Sequence, residues 1–159
     1  MKTLLLAALL PVAVFAQSNP PKISRAQGGS NFKLSFKLRS AGLESAGNFV
    51  VQDGEQANFT GGGERPYEIE TAKGSGVEYK KHVTVVNCLP NWDVSGPNRV
   101  KLSCQFELSG PLAATGKLGA RPIETFQLQS SFIVVPGRPL VLVDHDGRYV
   151  EMTVVELKP

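Results

Sequence analysis

Hydrophobic and polar residues alternate along several stretches of this chain. In "NFKLSFKLR", residues 31–39, every second side chain is apolar and the others are polar or basic. The stretch "VKLSCQFEL", residues 100–108, repeats the alternation, and "FQLQSSFIV", which ends at Val134, keeps it with Ser130 as one polar interruption. Side chains on a strand point alternately to two faces, so each stretch is predicted to be a half-buried β-strand.

Further strands are predicted where β-branched residues cluster, at Val77–Leu89, Leu140–Val143 and Arg148–Leu157. Turn signals separate these runs: Asp53-Gly54, Gly74-Ser75-Gly76, Ser95-Gly96-Pro97, Pro136-Gly137 and Asp146-Gly147. No window carries a convincing apolar stripe of helical period. The pattern predicts an all-β fold, an antiparallel β-sandwich or partly open barrel of about 7–9 short strands.

The N-terminus has the pattern of an export signal. Lys2 precedes the apolar run "LLLAALLPVAVFA", which ends in Val14-Phe15-Ala16, where a signal peptidase needs small residues. We predict a signal peptide over residues 1–16, a flexible leader over 17–30 and a single β domain over 31–159. No later run approaches the ~20 apolar residues of a membrane span. The expected location is therefore secreted or periplasmic, with no membrane span after signal removal.

Cys88 and Cys104 are the only two cysteines. An oxidising compartment favours a disulfide between them, while free buried thiols and metal or redox chemistry are the alternatives. An antiparallel hairpin centred near Gly96 would place Cys88 opposite Cys104, a register that allows a bridge. Trp92 lies inside the loop so closed, and is expected either to cover the core or to act as an exposed contact residue.

Charge gives a weak indication of partners. The formal net charge is +3, and the basic residues are scattered, which argues against nucleic acid as a partner. The strand predicted from Phe32 to Arg39 has a basic outer face. Together with the Trp92 loop, that face is the candidate interaction surface, which comprises Lys33, Lys37, Arg39 and Trp92.

Two motifs could carry chemistry, and both are expected to be architectural. Gly61-Gly62-Gly63 lacks the Lys-Ser/Thr ending and the following helix of a phosphate-binding loop, so we expect it to release the chain from one hairpin before "RPYEIE" begins another strand. In "DHDG", Asp144 to Gly147, Asp-Gly favours a hairpin turn, with a calcium or transition-metal site as the alternative. Because no nucleophile elbow is present either, we expect a protein that is not an enzyme, with no catalytic residue and no cofactor.

Two segments of the chain also echo each other. "NFVVQDGEQANF" from Asn48 and "SFIVVPGRPLVL" from Ser131 share a phenylalanine, two β-branched residues and a turn that ends in glycine. Either a structural repeat or the common composition of hairpins would produce this similarity, and both interpretations predict a strand, a glycine turn and a second strand.

The order of four motifs resembles the C-terminal β domain of the bacterial outer-membrane secretin family. These motifs are "VVQDGEQANFTGGGERPY", "VEYKKHVTVVNCLP", "VKLSCQFELSG" and "FIVVPGRPLVLV", within a resemblance that spans roughly Phe32 to Leu157. The cysteine pair is not part of the family pattern, and the segment has little room for the strands of a ring-shaped gate, so pore formation is not carried over.

What the resemblance implies is a secretin-like exported module with a structural or protein-interaction role. Its expected partner is a protein of the cell envelope, or a second copy of the chain held through sheet edges. The alternative function is that of a small secreted ligand- or metal-binding protein.

Overall fold

A computed structural model describes residues 29–71, 73–92, 96, 98–113 and 121–158. The predicted signal peptide, most of the leader and most of the loop after Trp92 lie outside the described residues. Within them the chain forms eight strands and no helix. The strands are β1 (Asn31–Ser40), β2 (Leu43–Gln52), β3 (Ala57–Thr71), β4 (Gly74–Trp92), β5 (Val100–Pro111), β6 (Ile123–Val134), β7 (Leu140–His145) and β8 (Arg148–Leu157).

The strands form two antiparallel sheets of four. The strand order is β2-β1-β8-β7 in one sheet, called the first sheet below, and β3-β4-β5-β6 in the other, the second sheet. The apolar faces of both sheets share one hydrophobic core, and neither sheet closes on itself. The prediction of an all-β sandwich is confirmed.

The core is built from the alternating positions that the sequence pattern indicated. In β1 the even-numbered side chains from Phe32 to Leu38 are buried, and in β5 those from Val100 to Leu108 are buried. In β8, which pairs with β1, the side chains of Val150, Met152 and Val154 are buried in the same core. Burial of these side chains away from water is the main force that holds the two sheets together.

The predicted β4–β5 register is confirmed. Cys88 lies opposite Cys104 and Val86 lies opposite Phe106. The two cysteines are joined by a disulfide, and their Cα atoms are 4.2 Å apart. A separation this short identifies a non-hydrogen-bonded pair, in which facing side chains approach most closely.

The glycine triplet does not end a strand, so the expectation that it releases the chain before a new one was wrong. β3 runs without a break from Ala57 through Gly61, Gly62 and Gly63 to Thr71. Gly62 has a φ of 127°, and a Cβ atom at this position would collide with the backbone carbonyl oxygen of His82. Only glycine permits β3 and β4 to remain so close there.

Two of the predicted hairpin turns connect the sheets instead. The Asp53-Gly54 turn leads from β2 in the first sheet to β3 in the second, and the Pro136-Gly137 turn leads from β6 back to β7. In each, the glycine N–H donates to a strand of the destination sheet: Gly54 to the Pro90 carbonyl at 2.8 Å and Gly137 to the Val154 carbonyl at 2.7 Å. The two echoing segments therefore form the two crossings between sheets.

The turn signal Gly74-Ser75-Gly76 was also misplaced, because these three residues begin β4 and do not form the turn. From Gly63 to Thr71, β3 pairs with β4 from Gly74 to His82, whereas β5 joins β4 only from Val83 onward. Within the described residues this segment, called the ribbon below, is thus a two-stranded extension of the second sheet. At about 3.3 Å per residue it is roughly 30 Å long.

Candidate interaction surfaces

The three basic residues predicted as a surface lie on the outer face of the first sheet. Lys33, Lys37 and Arg39 all belong to β1, and all three are exposed. β1 is a central strand, so each of them is flanked on one side by β2 and on the other by β8. Their surroundings are therefore set by residues distant in sequence.

Lys37 and Arg39 are already engaged by side chains of β8. The Lys37 ammonium lies 2.9 Å from one carboxylate oxygen of Glu151, and the Tyr149 hydroxyl donates to the other at 2.6 Å. The Arg39 guanidinium stands over the Tyr149 ring, 5.3 Å from its centroid. Part of the positive charge that the sequence suggested is thus matched within the molecule.

The pKa shifts follow from these contacts. Hydrogen bonds from Tyr149 and then from Lys37 lower the pKa of Glu151 below its ordinary value. The same carboxylate raises the pKa of Lys37, mainly through its hydrogen bond, and also raises the pKa of the Tyr149 hydroxyl. All three shifts favour the ion pair near neutral pH.

A shallow depression lies beside this ion pair. Its lining residues are Ser35, Phe36, Lys37, Ala46, Gly47, Asn48, Glu151 and Thr153. The depression is open to solvent and does not enclose a ligand. Surfaces of this kind suit contact with a macromolecule better than capture of a small molecule.

Trp92 lies apart from the basic residues. Its ring packs edge-to-face on Phe32, with centroids 5.4 Å apart, on the inner side of the sandwich. Its backbone N–H donates to the Asp53 carboxylate at 3.0 Å. This geometry corresponds to a residue that covers the core, and a contact role for Trp92 stays a prediction.

In the "DHDG" motif, Asp146 and Gly147 form the turn between β7 and β8, as the Asp-Gly pair indicated, and Asp144 and His145 end β7. Asp146 and Gly147 have φ angles of 50° and 71°, and two consecutive positive values are typical of a type I′ hairpin turn. His145 Nε2 lies 2.9 Å from the Asp146 carboxylate, and both side chains are exposed. In the part of the chain that the structure describes, no group of three or more His, Cys, Asp or Glu side chains could hold a metal ion.

A cluster that sequence reasoning missed lies at the base of the ribbon. The Tyr67 hydroxyl is hydrogen-bonded to His82 Nε2 at 2.5 Å, and the Arg121 guanidinium lies 4.5 Å from the centre of the Tyr67 ring. Arg121 also donates to the Leu112 carbonyl at 3.4 Å. Burial, and secondarily Arg65, lowers the pKa of His82. The cluster thus links the ribbon to Leu112, which follows β5, and to Arg121, which precedes β6.

The ribbon carries exposed apolar side chains on one face. Val77 is 57% exposed and Tyr79 is 66% exposed, two of the highest values for large apolar residues among those described. Pro66 lies opposite Tyr79 on β3. Charged neighbours on the same face are Glu64, Glu68, Glu70 and Lys81. The alternation in "YEIE" and "VEYK" indicated strands. The exposure of Val77 and Tyr79 could not be predicted in this way, because it arises where, among the described residues, no third strand pairs with the ribbon.

As to membranes, the described residues contain no helix with the length and apolar character that a transmembrane span requires.

Comparison with known proteins returns solved structures only. No family model matches the chain, and no curated protein matches it significantly. The secretin PilQ of the V. cholerae type IV competence pilus is 13% identical, with a TM-score of 0.45, and the match covers 81% of this chain and 57% of that one. The Salmonella SPI-1 type III secretion injectisome secretin InvG is 10% identical, with a TM-score of 0.46, over 82% of this chain and 63% of that one.

A second InvG structure, determined with PrgH and PrgK, matches with the same identity and TM-score and is covered over 44% of its length. The chain thus spans between about two fifths and two thirds of these secretin chains. They are secretins, the family that the motif order resembles. With TM-scores below 0.5, nothing about their activity or partners is transferred.

Proposed function

We propose that this chain is an exported, non-enzymatic β module of a bacterial cell envelope that acts by binding other protein through its exposed strands. The observation that carries the proposal is the ribbon, a two-stranded extension that leaves the sandwich with Val77 and Tyr79 exposed on one face. A two-stranded β-structure alone in water is at best marginally stable, so a length of about 30 Å favours a partner that covers it.

The chemistry of the ribbon suits a protein partner. Tyr79, Val77 and Pro66 form an apolar centre, and the carboxylates of Glu64 and Glu68 flank it. Protein interfaces commonly combine an aromatic anchor with a polar rim in this way. The rim would give specificity, because a partner must match its charges.

Two further features favour a binding module over an enzyme or a small-ligand site. The depression beside Lys37 and Glu151 is open, and its strongest polar groups are satisfied by each other. In "DHDG", the basis of the metal-binding alternative, Asp144 and His145 pair with β8, and Asp146-Gly147 form a hairpin turn. The basic face with Lys33, Lys37 and Arg39 remains a secondary candidate for contacts.

Affinity capture from a bacterial envelope extract tests the proposal, with the full chain as bait. The ribbon variant Val77→Glu/Tyr79→Glu should lose proteins that the unsubstituted chain retains, because two carboxylates would replace the apolar centre. The matched control is Val50→Glu/Val155→Glu, which places the same charges at exposed apolar positions beside Lys33 on the first sheet. Equal capture by the ribbon variant, or equal loss in the control, would contradict the proposal.

A further inference from the structure

Among the described residues the sandwich has four edge strands, and β6 is the least protected of them. β7 has only six residues and a bulge between Val141 and Val143. β3 contains three glycines, Pro66 and several charges, while β2 contains Gly47 and Glu44. β6 runs for twelve residues without glycine, proline or bulge, and Glu124 is its single charged residue. Short strands, prolines, bulges and charges are the usual devices that block pairing at an edge.

The backbone groups that β6 leaves open can be assigned from its pairing with β5. The Leu112 N–H donates to the Pro122 carbonyl at 2.9 Å, just before β6 begins. On the other side of β5, Cys104 forms a non-hydrogen-bonded pair with Cys88, so its backbone groups point toward Ser130. Both observations indicate that the backbone N–H and C=O groups of the even-numbered residues of β6 are hydrogen-bonded to β5. The odd-numbered residues therefore direct their N–H and C=O groups toward the open edge.

These odd-numbered residues form a palindrome about Leu128. Outward from the centre, the pairs are Gln127 with Gln129, Thr125 with Ser131, and Ile123 with Ile133. Their side chains all lie on the outer face of the second sheet. A strand that reads alike in both directions is complementary to an antiparallel copy of itself, as a twofold symmetric contact requires.

We propose that two copies of this chain pair along β6, antiparallel, about a twofold axis at Leu128. This inference rests on the proposed function, which it deepens by naming one edge and its partner. The two second sheets then become one sheet of eight strands, within the range of natural sheets. Six odd-numbered positions meet in this register, and their backbone groups exchange about twelve hydrogen bonds.

The side chains support the same register. Ile123 is 52% exposed and Ile133 is 48% exposed, and the pairing places each against the other at both ends of the contact. On the inner face, Leu128 meets its own copy. Glu124 keeps its existing contact with Arg148, 3.8 Å away, so the strand's one charge is not left unmatched.

Charged substitutions at Gln127 and Gln129 test both the use of the β6 edge and the register of the proposed pairing. In Gln127→Lys/Gln129→Lys, each lysine faces a lysine of the other copy. In Gln127→Lys/Gln129→Glu, each lysine faces a glutamate. The Gln127→Lys change is tolerated within its own chain because the Gln127 amide lies 2.9 Å from the Glu107 carboxylate. The control Asn58→Lys/Thr60→Lys adds the same charge at two exposed positions on β3, at the opposite edge of the same sheet.

Sedimentation equilibrium of the full chain at low ionic strength gives the readout. We expect a dimer with a dissociation constant in the micromolar range for the unsubstituted chain and for the β3 control. The lysine pair should weaken it by about tenfold or more, since like charges directly opposite are destabilising, and the Lys/Glu pair should restore it. A register shifted to place Gln127 opposite its own copy would not be restored by the Lys/Glu pair.

A monomer at every concentration, or a dimer that survives the lysine pair, would overturn the inference. Neither result would bear on the proposed binding through the ribbon, because capture through Val77 and Tyr79 is measured independently. Failure of the ribbon variant test, in turn, would not alter the sedimentation result. The two proposals can therefore fail separately.

Discussion

Gly62 determines whether β3 and β4 stay paired where the ribbon joins the sandwich. Its φ of 127° lies in a region that side chains disfavour, and the His82 carbonyl occupies the space of a Cβ atom. Gly63, one residue on, has open space around its Cβ position. Two adjacent glycines thus have different roles, which the triplet "GGG" conceals.

Gly62→Ala should lower the free energy of unfolding by about 2 kcal/mol or more, because it adds backbone strain and a backbone collision. Urea denaturation followed by Trp92 fluorescence measures the effect. Gly63→Ala is the control and should change stability by no more than about 0.5 kcal/mol. Similar losses in the two variants would show that the Gly62 geometry is not the cause.

His82 makes the stability of the folded chain depend on pH. Its neutral form accepts or donates one hydrogen bond with Tyr67, and burial and Arg65 both oppose its protonation, which lowers its pKa. Since the unfolded chain then binds a proton more readily than the folded chain, the contribution of His82 to stability is present above the ordinary histidine pKa. It is lost as the pH falls through that range toward the folded-state pKa.

We therefore expect the stability of the unsubstituted chain to fall on mild acidification, and His82→Gln to reduce that slope. Gln keeps a hydrogen-bonding group near Tyr67 but does not titrate. Urea midpoints between neutral and mildly acidic pH give the comparison. Parallel pH profiles in the two proteins would exclude His82 as the titrating group.

Among the elements, the β4–β5 hairpin carries a covalent constraint. The Cys88–Cys104 disulfide closes a loop across a sequence separation of 16 residues, and both cysteines are buried in the core. The bond restricts the unfolded chain, and it fixes the register that places Val86 opposite Phe106. It also holds β5 in place as the strand on which β6 pairs.

Removing this bond should lower the free energy of unfolding by about 3 kcal/mol on the chain-entropy model. The measurement is denaturation of the unsubstituted chain with and without reductant. Cys88→Ala/Cys104→Ala serves as the control, because it should lose stability and no longer respond to reductant. A reductant-independent midpoint for the unsubstituted chain would contradict a disulfide in the folded protein.

The strands were predictable because period-two alternation is a local property, and β1, β5 and β6 follow it. The connections were less predictable. Asp53-Gly54 and Pro136-Gly137 have the composition of hairpin turns, yet they lead from one sheet to the other, since turn residues encode a change of direction and not its destination. The continuity of β3 was missed because consecutive glycines usually indicate a loop.

At the scale of the whole molecule, the candidate surfaces depend on contacts between distant residues. Lys37 and Arg39 were identified from their strand, but Glu151 and Tyr149, which engage them, lie more than a hundred residues later. The exposure of Val77 and Tyr79 likewise depends on where β5 begins to pair with β4. A single sequence gives the faces of each strand, and only the assembled sheets show which faces remain uncovered.

Hydrogen–deuterium exchange of the full chain, alone and bound to protein captured from envelope extract, tests the central claim most directly. For the isolated chain we expect slow exchange in β1, β5 and β8 and fast exchange in the ribbon, because among the described residues the ribbon pairs with no third strand and none of its side chains is fully buried. Binding should slow exchange in residues 63–71 and 74–82 most strongly. Exchange in the ribbon that is unchanged on binding, with protection confined to the sandwich, would contradict the account.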